Sequence, residues 1–474
     1  MSQFLTDKEI RALFGNAGDF VTRELSCNGF TLYAYAIDGL TSGADTSEYV
    51  FKPLTDHLTG ETMQLLYDNA LRGEIYNSVA DECKDLDEVA LKLVNGFCVI
   101  LFPGSGALAF EVKTGEKRGL SAPEVENTVK GPKDAFTETV RTNTSLLRRH
   151  LRTPALRLDE SRVGRRSLTN VTVAWVEGIT SPTLVERMKQ RLASIDVDGF
   201  LTPGAVEEHV TGSRATAFPL LQYTERADTF CLGLLDGRVG LLVDGLPLGY
   251  LAPVDLGCLM ESPEDLSRDY ITASCIRFLR YGAMLLSLLL PGFYVALTVF
   301  HQQMIPLPLL RAMIESKKDV PFPSALEVLS LLIAFELLQE SGIHLPQAVG
   351  QSVSTVGGIV VGTAAVEAGF ISPAALIVVS LAGICGFVLP NRDLAEGIRV
   401  WRFGLAVLGA SAGLFGVTCG LIALTIHLGG LQSLGLPFLS PFQTDEGNEI
   451  LRPRMKEQIF RKIRMNPCDR RRQR

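Results

Sequence analysis

Between Tyr281 and Leu310 the chain holds no aspartate, glutamate, lysine or arginine. The same lack recurs at 341–366, 368–391 and 403–444. Of the 97 such side chains, 68 fall in residues 1–280 and only 14 in residues 281–444. A helix needs roughly 20 apolar residues to cross a hydrocarbon core. Repeated runs of this length exclude a single buried core helix and predict a polytopic membrane domain. Other absences narrow the function. The nine cysteines include no C-x-x-C pair and the six histidines are dispersed. This gives no support to a disulfide framework or a metal centre, and predicts buried free thiols in a reducing compartment. Walker, G-x-G-x-x-G and H-E-x-x-H patterns are missing and no G-x-S-x-G elbow follows a strand, so no enzyme, cofactor or nucleotide site is expected. The N-terminal stretch "MSQFLTDKEIRALFG" lacks an apolar signal core, which predicts a cytoplasmic front. That front carries 29 basic and 39 acidic residues, a balance that argues against nucleic acid.

What is present falls into four parts: an α/β subdomain at 1–130, a second with a basic linker helix at 131–280, a helical membrane domain at 281–444, and a basic tail at 445–474. The fold class expected is therefore an α/β soluble region of two related subdomains, followed by an α-helical polytopic membrane domain. The relation is carried by "LVNGFCVILFPG" (93–104) and "LLDGRVGLLVDG" (234–245), each a helix end, an apolar strand and a glycine turn. They read as an internal duplication of a helix–hairpin unit. Between them lies a β-α-β pattern. A strand at Val171–Val176 precedes Ser181 and Pro182 at a helix start, and Leu184, Val185, Met188, Leu192 and Ile195 form one apolar face. "IDVDG" is expected to return to extended structure.

One basic stretch interrupts the acidic front. Phe136, Val140, Leu147 and Leu151 make a helical stripe, leaving Arg148 and Arg149 elsewhere, with Arg165 and Arg166 beyond. These arginines read either as a solvated face or as docking groups for an acidic subunit or lipid headgroups.

Membrane helices are predicted at about 281–304, 347–366, 371–390 and 403–428, with 324–338 a fifth or a re-entrant segment. Four spans keep the front and the ten basic residues of the tail on one side, as the positive-inside tendency prefers. Pro291-Gly292 predicts a kink near the middle of the first span, which could serve gating. In 347–366, Gly350, Ser354, Gly358 and Gly362 form a small-residue stripe for helix packing. Beside it Gln347, Gln351, Thr355 and Thr363 form a polar stripe, read either as interhelical hydrogen bonding or as the lining of an aqueous path. Glu327 and Glu336 are further pore candidates, although nine residues apart they lie on opposite helix faces. The tail segment "EILRPRMKEQIFRKIRM" suits either a helix on an anionic leaflet or a disordered end.

Long phrases in order carry a family resemblance. They include "KGPKDAFTETVRTNTSLLRRHLRTPALRLDE", "VGRRSLTNVTVAWVEGI", "FPLLQYTER", "GRVGLLVDGLP", "LLLPGFYVALTVFHQQMIP" and "PFPSALEVLSLLIAFELLQESGIHLPQAVGQSVSTVGG". From about 90 to 442 the chain resembles the A subunit of the GerA-type nutrient germinant receptors of bacterial spores. The resemblance implies an oligomeric subunit of the inner spore membrane, working among membrane lipids with B and C subunits, its N-terminal domain and tail facing the spore core. It implies a ring-shaped ligand-gated channel that releases monovalent cations when nutrients bind, and no catalysis. Departures from the family pattern are Gln303 for an acid in His301-Gln302-Gln303-Met304, Gln339 for a basic residue, and Thr363 for glutamine. Stage V sporulation protein AF, a paralogue that acts as an accessory to germination, shares the architecture. A secondary transporter would need two related membrane halves, and none is visible between 281 and 428.

Overall fold

The computed structural model describes residues 5–439, apart from 16, 76, 78, 115–122, 124–125, 127, 129, 213–215 and 345–361. It divides into two compact units. Among the described residues, one comprises those up to Gly212 and Leu221–Pro253, the other those that follow Gly212 up to Leu220 and those from Val254 onward. The boundary expected at 280 therefore moves back to 254, because residues 254–267 pack with the helices rather than with the sheets.

The α/β unit contains the duplication that the glycine turns suggested. Strands β1 (Phe20–Cys27), β2 (Phe30–Ile37), β3 (Ala80–Cys83), β4 (Phe97–Phe102) and β5 (Gly106–Glu111) form an antiparallel sheet in the order β1-β2-β4-β5-β3. Strands β6 (Leu156–Val163), β7 (Thr169–Val176), β8 (Gln222–Thr224), β9 (Val239–Val243) and β10 (Gly249–Ala252) repeat that order as β6-β7-β9-β10-β8. In the first sheet the side-chain alternation of a strand sends Cys98, Ile100 and Phe102 to one core and Val99 and Leu101 to another. Both faces are covered, which is why β4 is buried at every position. Helices α1 (Asp7–Phe14) and α2 (Leu86–Val94) supply Ile10, Phe14, Val89 and Leu93 to the second of these cores.

Helix α3 (Val140–His150) has no side-chain cap from Thr139; instead Asp244 Oδ1 accepts the Val140 N–H at 2.9 Å. A turn 104 residues downstream thus satisfies a helix-start donor, tying two of the resembling phrases together. Helix α4 (Pro182–Ala193) buries Leu184, Val185, Met188 and Leu192 as its periodicity predicts, but it ends before Ile195, which lies half-buried past the helix and is not part of that face. The expected strand at "IDVDG" does not form. Its carbonyls instead receive loop amides, Arg165 N–H to Val197 O at 2.8 Å and Arg166 N–H to Asp198 O at 3.0 Å. Helix α5 (Ala227–Leu235) then packs Phe230 and Leu234 on the second sheet.

The helical unit contains α6 (Tyr270–Val299), α7 (Leu307–Ser316), α8 (Ser324–His344), α9 (Pro373–Phe387) and α10 (Arg392–Gly430). Ile271–Val299 and Arg392–Gly430 are long and apolar enough to cross a membrane. The second does not run straight. In a straight helix Trp401 and His427 would lie about 39 Å apart, yet their ring centroids are 5.6 Å apart. Gly413, with φ +61 and ψ −144, turns the chain, so α10 is two antiparallel arms. The single span expected at 403–428 is corrected to a helical hairpin. A residue with a Cβ is strained at this φ, which explains glycine at the tip. The arms close because Gly416 and Gly420 leave no side chain between them; a Cβ on Gly416 would sit 2.1 Å from Leu408 O.

Candidate functional site

The chemistry of the helical unit lies where charge meets apolar helix, so the site is built from the paths of the helices. Gly292 on α6 meets Leu405 and Gly409 on the first arm of α10. A Cβ on Gly292 would lie 2.8 Å from Leu405 O, and one on Gly409 would lie 2.5 Å from Gly292 O. Just past the end of α6, Phe300 and His301 meet the hairpin tip at Gly413. The first arm therefore runs parallel to α6. Pro291 sits inside α6 without ending it. Gly292 beside it is the place of close backbone approach, a packing role that the sequence assigned to other glycines.

Helix α8 is 21 residues long, about 31 Å of rise. It runs opposite to α6, and the two glutamates mark its levels. Glu327 is completely buried. Its Oε1 lies 2.8 Å from Lys317 Nζ and its Oε2 accepts the Ser372 N–H at 3.0 Å, ahead of α9. A carboxylate enclosed like this is held by its partners rather than by water. Glu327 is thus corrected from a pore-lining candidate to an internal tie between α8, the α7 end and the start of α9.

Glu336 lies half-exposed and pairs with Arg399 on α10 at 2.8 Å. Arg399 also donates to Gln339 Oε1 at 2.7 Å, so the glutamine that departs from the family pattern accepts where a basic residue would repel. Arg402, three residues on, is buried, with Glu336 Oε2 at 4.0 Å and the Ala382 carbonyl at 3.5 Å. Glu336, Gln339, Arg399 and Arg402 form one polar cluster between α8 and α10. At the start of α6, Arg280 donates to both Asp265 oxygens at 2.5 and 2.9 Å, and Arg277 lies 2.6 Å from Glu261. Lys317, Glu327, Glu336, Arg399 and Arg402 thus tie segments of the helical unit to one another.

The remaining predicted residues are distributed as follows. Gln347, Gln351, Thr355, Gly350, Ser354 and Gly358 lie outside the described residues, as does the tail. Thr363 is exposed on a helical turn, and Gly362 has Leu376 as its nearest foreign side chain. Gln303 lies exposed in a short turn, Gln302–Met304. Arg148 is corrected outright. It is fully buried, donating through Nε and Nη2 to Asp19 at 2.7 and 2.9 Å, and is inaccessible to a partner or lipid. Arg149 is half-buried. Arg165 and Arg166 remain on the surface, beside Asp196 at 2.6 Å and Asp198 at 3.6 Å. The hairpin seam of Gly409, Gly413, Gly416 and Gly420 was missed, although spacings of three and four within an apolar run were the signal for it.

With this arrangement in view, the comparisons with known proteins decide the family. The profile described as Bacillus/Clostridium GerA spore germination protein matches residues 8–472. The chain belongs to this family. It is 35% identical over 449 residues to the uncharacterized membrane protein YfkQ of Bacillus subtilis (strain 168), covering 94% of this chain and 87% of that one. Spore germination protein KA of the same organism is 33% identical over 440 residues, covering 92% and 80%. Among solved structures, the N-terminal domain of the A subunit of the Bacillus megaterium spore germinant receptor GerK3 is 26% identical. That match covers 52% of this chain and 92% of that one, with a TM-score of 0.40. Membership in the GerA family makes this a spore germination protein of the A-subunit kind, and its apolar helices suit a membrane protein.

Proposed function

We propose that this GerA-family chain is the membrane A subunit of a nutrient germinant receptor, assembling with copies of itself into a channel for monovalent cations. It works with B and C subunits in the inner spore membrane, with the α/β unit and the tail facing the spore core. The observation that carries this reading is the family match, which runs from residue 8 to residue 472 and so takes in both units. No catalytic step is assigned to it.

The path between copies is lined by Gln347, Gln351, Thr355 and Thr363, uncharged oxygens that ions can pass without being trapped. Arg149, Arg165 and Arg166 dock a neighbouring subunit or anionic lipid, and the Pro291-Gly292 step is where α6 yields during gating. The test is reconstitution of the full chain into potassium-loaded vesicles. With B and C subunits present, cation leak that depends on the chain and on a mixed nutrient germinant, and that falls in a Gln351→Leu variant, supports the channel; a vesicle that stays tight with all three subunits and the germinant contradicts it.

The alternative reading is an accessory one. An accessory of the stage V sporulation protein AF type would modulate germination without being required for any one nutrient.

A further inference from the structure

Segment 221–253 of the α/β unit, which carries β8, α5, β9 and β10, is an excursion from the helical unit: the chain leaves at Leu220 and returns at Val254. Both crossing points are held by one side chain. The Ser433 hydroxyl donates to Leu220 O at 2.7 Å and accepts the Val254 N–H at 3.0 Å. Ser433 is 1% exposed, so neither bond competes with water. Its backbone belongs to the tight hairpin Gln432–Pro437, which directly follows the second arm of α10.

Neighbouring contacts reinforce the same junction. Leu256 N–H donates to Phe438 O at 2.9 Å. His427 Nε2, on the second arm, lies 3.0 Å from Thr216 Oγ1, ahead of the first crossing. Phe218 packs against both His427 and Phe438. Beyond the crossings the two leads become neighbours again, since Gln222 pairs with Leu251 in the β8–β10 ladder. The leads into the second sheet therefore enter and leave side by side, and the gathering point is the end of the membrane hairpin.

We propose that Ser433 is a clasp that transmits displacement of the β8–β10 edge of the second sheet to the Gly413 hairpin of the helical unit. The role in signalling rests on the receptor reading above; the clasp itself does not. Pulling β8 and β10 apart, or shifting them together, loads both bonds of one hydroxyl. That hydroxyl lies three residues past the end of an arm whose tip meets Phe300 and His301.

The first test needs no nutrient. Amide hydrogen exchange of the detergent-purified full chain is followed in wild type and in Ser433→Ala. The Val254 amide is expected to exchange at least about tenfold faster in the variant, with amides in the middle of α6 unchanged. Ser433→Thr, which keeps the hydroxyl, is expected to restore protection. Unchanged protection at Val254 in Ser433→Ala overturns the clasp. Should the alanine variant not accumulate, Ser433→Cys, near the same volume with a weak donor, replaces it under the same criterion.

The second test addresses transmission in spores. Ser433→Ala is expected to raise the nutrient concentration for half-maximal potassium release at least about fivefold at unchanged subunit abundance. Lower abundance with an unmoved half-maximal concentration means a merely structural bond and overturns transmission. Faster exchange at Val254 in a chain whose loss does not affect germination would leave the clasp standing and remove the receptor reading.

Discussion

Arg148 and Asp19, 129 residues apart, are joined by two hydrogen bonds of 2.7 and 2.9 Å inside the α/β unit, and both are essentially excluded from solvent. Asp19 precedes the first strand of the first sheet, and Arg148 lies on the helix beside the second. Arg148 also donates to Leu156 O at 2.9 Å, so the ion pair is braced by the second sheet's own first strand. The two copies of the duplicated fold are thereby fastened by a pair that neither can satisfy alone. Removing one partner leaves a buried charge uncompensated. Asp19→Ala is expected to cost the α/β unit about 3–5 kcal/mol of stability. Chemical denaturation of the full chain in detergent, followed by the α/β unit's tryptophan Trp175, checks it; a loss below about 1 kcal/mol contradicts the pairing, being the usual worth of an exposed ion pair.

Helix packing around Gly292 and Gly409 gives a second expectation. Each added Cβ would press on a carbonyl or backbone atom of the other helix rather than on a flexible side chain. Gly409→Ala is expected to cost about 1–3 kcal/mol through overpacking. The midpoint of thermal unfolding in detergent should fall, while Gly429→Ala, where nothing lies within 4 Å of the added atom, should leave it unchanged.

The hairpin at Gly413 makes a distance prediction. Val400 and Ile426 are both exposed, on opposite arms. Spin labels placed there should give a separation below about 25 Å, label arms included, whereas a straight helix would separate the backbones by about 39 Å. A measured distribution centred at the longer value would dismiss the hairpin.

Thiol chemistry separates the cysteines by burial and pH. Burial alone pushes Cys98 up to about 12, and burial is the leading cause that takes Cys83 and Cys231 up to about 12 as well. A raised thiol pKa keeps the proton on, so these three remain thiols, and poor nucleophiles, through pH 9. Cys275, exposed at the start of α6, should take up maleimide ahead of these three. Labelling of Cys98 in the folded chain ahead of Cys275, read by peptide mass, would contradict the fold around β4.

How much of this was legible in the sequence depends on the range of the interaction. Local periodicity sufficed for α4, where Leu184, Val185, Met188 and Leu192 recur at helical spacing and are buried together. The glycine turns at Gly104 and Gly245 were enough to suggest the duplication, because each ends a strand of the repeated sheet order. Arg148 was misread because its partner is 129 residues away, and one arginine beside Arg149 gives no sign of which is buried. The hairpin was misread because hydropathy counts apolar residues and is blind to direction; φ +61 at Gly413 leaves the mean hydropathy of 403–428 untouched. Glu327 looked like a pore group because its cover, Lys317 and the Ser372 amide, comes from two other segments.

The most direct measurement is potassium release from spores lacking this gene, after a mixed nutrient germinant, with a complemented control. The receptor reading predicts that release to at least one nutrient disappears and returns on complementation. Release merely slowed for every nutrient contradicts it and favours the accessory reading; release at the wild-type rate to every nutrient contradicts both.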